Sequence, residues 1–455
     1  MAFALFILGV SALVASFLGV VAPRRPHSFE GFTFFIGWLA GDLPGFHLAA
    51  KAVASAALVG LGGADRTIGR IGLAAMVVSM AMDVLLVRRH RAAAPVLDAA
   101  LREVLGPDAP SVEAEPIPFA TLVKPFPPDP SGVRFTRNIE YGPARRNKLD
   151  VLAPADGRTG CPVLLQIHGG AWFSGKKEEQ GQPLMRHLVR QGWVCVAPNY
   201  RLSPKATFPD HLVDVKMALA WAREHIAEYG GDPSFICVTG GSAGGHLAAL
   251  IGLTANMPEF QPGFEHVDTS VQACVPVYAV VDFLNTAQVR HGLTLRLYNH
   301  LMSRMLMKTR FDADDDGWRK ASPLSHVRAE LPPFFVVQGA QDTLVWREEP
   351  RYFVEQMRAA GNTVVGYAEV PYAQHAFEIM VTRRSTYTVR AITAFLQSVH
   401  AQYRGVPPLD TSASSDAVSS DAVFSDAVSS DAVSSDDVFS DAVSVETQAA
   451  GSSDG

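Results

Sequence analysis

The sequence predicts an α/β protein, a mostly parallel sheet covered by helices on both faces, carried behind membrane-crossing helices. Three observations predict it. From residue 161 onward, six short and nearly continuous apolar runs alternate with helical stretches, the pattern of parallel strands buried under crossover helices. A Gly-x-Ser-x-Gly turn stands at one of the strand-to-helix junctions. The chain also opens on residues 2–22, which are apolar or small and carry no charge.

Residues 2–22 are long enough to cross a hydrocarbon core of about 30 Å as a helix. A cleaved secretory leader would place basic residues before the apolar run, whereas Arg24 and Arg25 follow it, so the segment reads as a transmembrane span. Residues 32–63 are apolar but interrupted by Asp42, Pro44, His47 and Lys51, and residues 71–87 carry only Asp83 before ending at Arg88, Arg89, His90 and Arg91. Two further spans are expected, the first irregular, so that residues 1–91 form a membrane-embedded segment of about three helices. Asp42, His47 and Asp83 are expected to face neighbouring helices or the interface, because ionisable groups are costly in lipid. The positive-inside rule places Arg24, Arg25 and the cluster at 88–91 on the cytoplasmic side, and the following domain with them.

Residues 92–130 are dense in proline, from Pro107 to Pro130, and read as a semi-rigid linker. A protein beginning near Val112 is therefore expected to fold and act by itself. Residues 131–403 form the catalytic domain. Strands are expected at 163–167, 194–197, 235–239, 274–278, 334–338 and 364–370, with helices at 211–229, 242–253 and 348–360. The segment 282–320, rich in Leu, Met, Arg and His, reads as a lid insertion in which Met302, Met305 and Met307 pack as core. Asp210 and Asp214 are expected to brace the loop 200–204.

Residues 404–455 repeat an acidic Ser-Asp-Ala-Val unit with Asp every five residues from Asp416 to Asp441. Such a composition cannot bury a core and reads as a disordered tail. The tail conceals the charge balance: residues 410–455 hold ten acidic and no basic residues, so the net charge of -6 becomes +4 for the remainder. Neither value suggests a nucleic-acid partner. The cysteines Cys161, Cys195, Cys237 and Cys274 are widely spaced, and are expected to pack as small hydrophobes. No cofactor and no metal are expected.

The chemistry-bearing motif is Gly240-Gly241-Ser242-Ala243-Gly244, after a strand and before a helical run. A hydroxyl on such a tight turn is exposed to substrate, and the helix N-terminus offers free N–H groups to a developing oxyanion. His168-Gly169-Gly170-Ala171-Trp172 follows another strand. Its Gly169 and Gly170 N–H groups, with that of Ala243, are read as an oxyanion hole, and His168 as a residue shaping the loop. Asp342 and His375 each lie just past a strand end. The chain order Ser242, Asp342, His375 is that of an α/β hydrolase, with Asp342 orienting His375 and His375 taking the Ser242 proton.

From about residue 133 to 400 the chain resembles the hormone-sensitive-lipase-like carboxylesterases and lipases, including membrane-attached bacterial members. The resemblance rests on His168-Gly169-Gly170, Asn199-Tyr200-Arg201-Leu202-Ser203-Pro204, Phe208-Pro209 with Asp214, the Ser242 turn, and the Asp342 and His375 segments. Two positions depart from the family pattern. Ala171 stands where many members carry a third glycine, and Gly241 where many carry aspartate before the nucleophile. The resemblance implies an α/β-hydrolase fold and a serine carboxylic-ester hydrolase working through an acyl-enzyme on short- to medium-chain or lipid esters. Amide or peptide hydrolysis on the same fold is an alternative, although no β-propeller-sized partner domain is present. A catalytically silent ligand-binding relative is another, although such proteins commonly lose the histidine. Oligomeric state stays open.

Overall fold

A computed structural model of the chain describes residues 1–23, 30–117, 125–126, 131–311 and 313–405. The acidic repeat from residue 406 onward and the most proline-dense part of the linker lie outside the described residues.

Eight strands, β1 (Val133–Glu140), β2 (Lys148–Pro154), β3 (Cys161–Ile167), β4 (Val194–Pro198), β5 (Gly231–Gly241), β6 (Ala273–Val277), β7 (Phe334–Gly339) and β8 (Val365–Val370), form one sheet. Its order is β1-β2-β4-β3-β5-β6-β7-β8. The β1–β2 and β2–β4 pairs are antiparallel and every later pair is parallel. This is the α/β-hydrolase sheet. All six expected strands are present, and β3, β4, β6 and β7 are buried along their whole length, as their unbroken apolar runs require. The antiparallel end was not expected. In β1, Arg134, Arg137, Asn138 and Glu140 break up the apolar signal on an edge strand that is largely open to solvent, where charge is tolerated.

Two apolar cores lie on the two faces of the sheet. One packs α7 (Asp210–His225) and α8 (Ala243–Leu253), while the other packs α6 (Gln182–Arg190) and α12 (Arg383–Tyr403). Between β6 and β7, the expected lid contains α9 (Gly292–Met302) and α10 (Asp315–Ala321). It is stitched to α11 (Glu348–Ala359) by the buried Arg290–Glu349 pair at 2.7 Å. Met302 and Met307 are buried in the first core. Asp214 and Asp210 hold Arg201 at 2.8 and 3.2 Å, which is the bracing expected of them. All four cysteines are buried and free.

The N-terminal third differs from its sequence reading in one important respect. Residues 93–117 are not a detached spacer. They begin with α5 (Ala93–Leu105), in which Ala93, Ala94, Leu97 and Leu101 are fully buried in the second core. The Asp98 carboxylate accepts hydrogen bonds from Ser111 Oγ and Val112 N at 2.7 and 2.8 Å, and Arg390 donates to Val112 O at 2.9 Å. The proline count misled because Pro95 lies in the first helical turn, where its missing N–H costs nothing, and the other prolines begin only at Pro107.

Ahead of α5 stand α1 (Ala2–Val21), α2 (Glu30–Asp42), α3 (Pro44–Gly60) and α4 (Thr67–Arg89). α1 and α4 run side by side in the same direction, with Ser16 bonded to Ser79 at 3.0 Å and Arg89 donating to Val20 O at 2.8 Å. Lys51 of α3 completes a buried cluster, donating at 2.7 Å to Ser16, Ser79 and Asp83. Asp83 thus faces its helical neighbours. α2 and α3 meet at 86°, the irregularity that Pro44 announces. By length and composition two helices are able to cross a membrane, or three if the bent pair counts as one span.

Candidate active site

Ser242 stands between β5 and α8 with φ 56° and ψ −121°, a conformation that a non-glycine residue holds only when its surroundings impose it. They do so here through Ser242 N, which donates to Val277 O at 3.0 Å, and Ser242 O, which accepts from His246 N at 2.9 Å. The side chain is partly exposed, and its hydroxyl makes no hydrogen bond among the described residues.

Asp342 and His375 come together from the loops after β7 and β8. His375 Nδ1 donates to Asp342 Oδ2 at 2.7 Å, and the carboxylate is fully buried. It is aimed by three more donors: Gln338 Nε2 at 3.1 Å, Leu344 N at 2.8 Å and Val345 N at 2.9 Å. Gln374 ties the two loops, its Oε1 accepting from Thr343 N at 2.8 Å and His375 N at 2.9 Å.

Tyr278 lies against both the His375 ring and the Ser242 turn. Its ring centroid lies 4.5 Å from that of His375, and a Cβ on Gly241 would meet its hydroxyl at 2.5 Å. That contact explains glycine where aspartate is common: Tyr278 occupies the space an aspartate side chain would need. Gly241→Asp is therefore expected to overpack the turn at a cost of about 1–3 kcal/mol, lowering Tm and cutting ester turnover at least tenfold. Adding Tyr278→Ser should recover part of both. Unchanged Tm and turnover in the single variant would show that the space is not limiting.

The glycine loop after β3 lies against Ser242, since a Cβ on Gly169 would meet Ser242 Cβ at 3.2 Å. Its N–H groups are not equally free. Gly169 N–H already donates to Gln180 Oε1 at 2.6 Å. Gly170, Ala171 and Ala243 N–H donate to nothing among the described residues. The free N–H groups of this loop thus begin one residue further along than Gly169, and at Ala171 a φ of 49° turns the backbone. His168 shapes the loop as expected. Burial pushes its pKa down to about 4, so the neutral ring donates from Nδ1 to Gly169 O at 2.7 Å and stacks on Tyr200 at 4.4 Å. Among the described residues no group of three His, Cys, Asp or Glu side chains is placed to hold a metal ion.

The BD-FAE family profile matches residues 149–357, the stretch from β2 through α11. The protein named "Probable carboxylic ester hydrolase LipM" from Mycobacterium tuberculosis is 41% identical over 427 residues, covering 88% of this chain and 94% of that one. The chain belongs to the hormone-sensitive-lipase-like carboxylesterases. It is also 40% identical to Esterase LipQ of the same organism, over 81% of this chain and 86% of that one. Among solved structures, Thermogutta terrifontis esterase 2 phosphonylated by sarin superposes with a TM-score of 0.51 at 26% identity, covering 62% of this chain and 99% of that one. The share of this carboxylesterase that is matched is thus larger for LipM and LipQ than for the solved esterase, and the chain carries the helices α1–α5 ahead of its sheet.

That region reaches the site. Phe34 of α2 is buried in the second core with its ring 5.7 Å from His375 in an edge-on arrangement. Trp38 Nε1 donates to Ala376 O at 3.0 Å. At the end of α1, Val20 O accepts from Gln341 beside Asp342 at 3.3 Å. Sequence reasoning missed these contacts, along with Gln180, Gln374, Tyr278 and Ala171. For α2 no local signal exists, because an aromatic residue in an apolar helix looks the same whether it faces lipid or an imidazole.

Proposed function

We propose that this carboxylesterase cleaves esters through Ser242, with His375 as general base and Asp342 as its orienting carboxylate, at a membrane surface. The observation that carries the reading is the 2.7 Å His375–Asp342 hydrogen bond on the loops after β7 and β8, with Tyr278 packed against both the His375 ring and Gly241 of the Ser242 turn. Asp342 fixes the proton on Nδ1, leaving Nε2 to take the Ser242 proton as Oγ attacks the ester carbonyl. The Ser–His contact commonly tightens only when substrate is bound. The tetrahedral oxyanion is held by the N–H groups of Gly170, Ala171 and Ala243, each such donor being worth about 3 kcal/mol in related sites. His375 then protonates the leaving alcohol, and water admitted by the same base releases the acid from Ser242.

A fluorophosphonate probe mapped by peptide mass spectrometry tests the assignment. The expected result is modification of Ser242 alone, in line with the phosphonylated esterase that the fold resembles. A modified residue elsewhere would refute the nucleophile.

We further read α1, α4 and the bent α2–α3 pair as membrane-embedded, their exposed Phe3, Val14, Phe17, Ile71 and Val77 facing lipid. An enzyme so placed meets lipid-soluble esters at high local concentration. Its kcat/KM is expected to rise from acetyl to medium-chain p-nitrophenyl esters, by roughly fourfold per methylene at about 0.8 kcal/mol each until the pocket is full. A steady fall from two to eight carbons, measured below the micelle concentrations, would show a short pocket.

A further inference from the structure

We propose that an anionic phospholipid binds in the cleft where the α2–α3 bend, the C-terminal end of α4 and the N-terminal end of α12 meet. This rests on the membrane reading of α1–α4 and not on the catalytic assignment. The cleft measures about 650 Å³, and its wall is mostly apolar, with Leu43, Pro44, Phe46, Leu48 and Val87 among its residues. That volume and lining suit an acyl chain.

The charges of the cleft choose the headgroup. Arg88, Arg91 and Arg383 line it, and none has a carboxylate or other hydrogen-bonding partner among the described residues. Its carboxylate, Asp42, is buried opposite Arg384 at 3.7 Å, so that pair cancels and three cations remain. Their depth is also suitable. The apolar run of α4 ends at Val87 and turns basic at Arg88, which places the arginines at the level where lipid phosphates lie. A zwitterionic headgroup lacks the net charge to answer three cations. Free phosphate would leave the apolar wall unused.

The cleft adjoins the segment that carries His375. Arg384, next to the lining Arg383, donates to Tyr372 O at 2.6 Å and to Gly41 O at 3.3 Å, while Arg89 covers the Tyr372 ring at 4.4 Å. A lipid filling the cleft would hold α2, α4 and α12 together around that loop.

The test uses full-length protein in a nonionic detergent, with bound lipid counted by native mass spectrometry. Dioleoyl phosphatidylglycerol is expected to be retained at one per chain and at least tenfold more strongly than dioleoyl phosphatidylcholine. Excess inorganic phosphate should not displace it. Retention should fall at least tenfold in the triple variant Arg88→Gln, Arg91→Gln, Arg383→Gln. Leu48→Trp, which fills the cleft and spares the arginines, should lower retention as well and serves if the triple variant does not fold. Equal retention of the two lipids, displacement by phosphate, or undiminished retention in the folded variants would overturn the site. Carbonate extraction of membranes reports on the membrane reading separately: a protein that stays with the membrane yet holds both lipids equally loses the site alone, and one that is released loses both.

Discussion

Ser242→Ala should lower turnover of a short p-nitrophenyl ester by about 10⁴- to 10⁶-fold, the range for loss of a serine nucleophile. The removed hydroxyl bonds to nothing among the described residues, and its backbone is held by Val277 and His246, so Tm should move by no more than about 2 °C, under 1 kcal/mol for a domain of this size. Asp342→Asn should cost about 10⁴-fold, because an amide in place of the carboxylate stabilises the wrong imidazole tautomer. Steady-state kinetics beside a thermal melt decide both. Ser242→Ala retaining more than a tenth of wild-type activity would end the nucleophile assignment, and a collapsed Tm would mean the activity loss reports on folding instead.

Deletion of residues 1–111 should abolish soluble, active protein, against the sequence expectation that a chain starting near Val112 would suffice. The deletion removes α5, whose Leu97 and Leu101 are fully buried and contribute about 1.5–3 kcal/mol each. Ala93, Ala94, Ala100 and Phe34 leave the same core. The total rivals the 5–15 kcal/mol by which a domain is ordinarily stable. A chain beginning at residue 92 separates the two contributions. It keeps α5 and should fold, but without Phe34 and Trp38 against the His375 loop its kcat should drop by more than its KM rises. Expression, a thermal melt and kinetics of both truncations provide the comparison. A residue-112 protein with wild-type activity would show that α5 is dispensable despite its burial.

The sequence by itself determined the parts whose physics is local. A glycine-flanked serine between a strand and a helix, an aspartate and a histidine just past two strand ends, and continuous apolar strands all follow from turn sterics and two-sided burial acting within a few residues. Proline in the α2–α3 bend and arginines at the end of α4 are equally local. Tertiary structure decided what depends on which surfaces meet. Ala94, Leu97, Leu101 and Val104 are spaced as one helical face, yet only the uncovered side of the sheet at β8 and α12 makes that face a core. Gly169 and Ala171 are indistinguishable as N–H donors until Gln180 claims the first. Gly241 reads as an unexplained departure until Tyr278 is seen against it. Phe34 lies more than three hundred residues from His375 in sequence, and its burial beside that ring is a packing outcome between an apolar helix and a loop. No periodicity or spacing in the chain carries such a pairing, because apolar contact is non-directional and its partner is chosen only when the sheet and the helices close on each other.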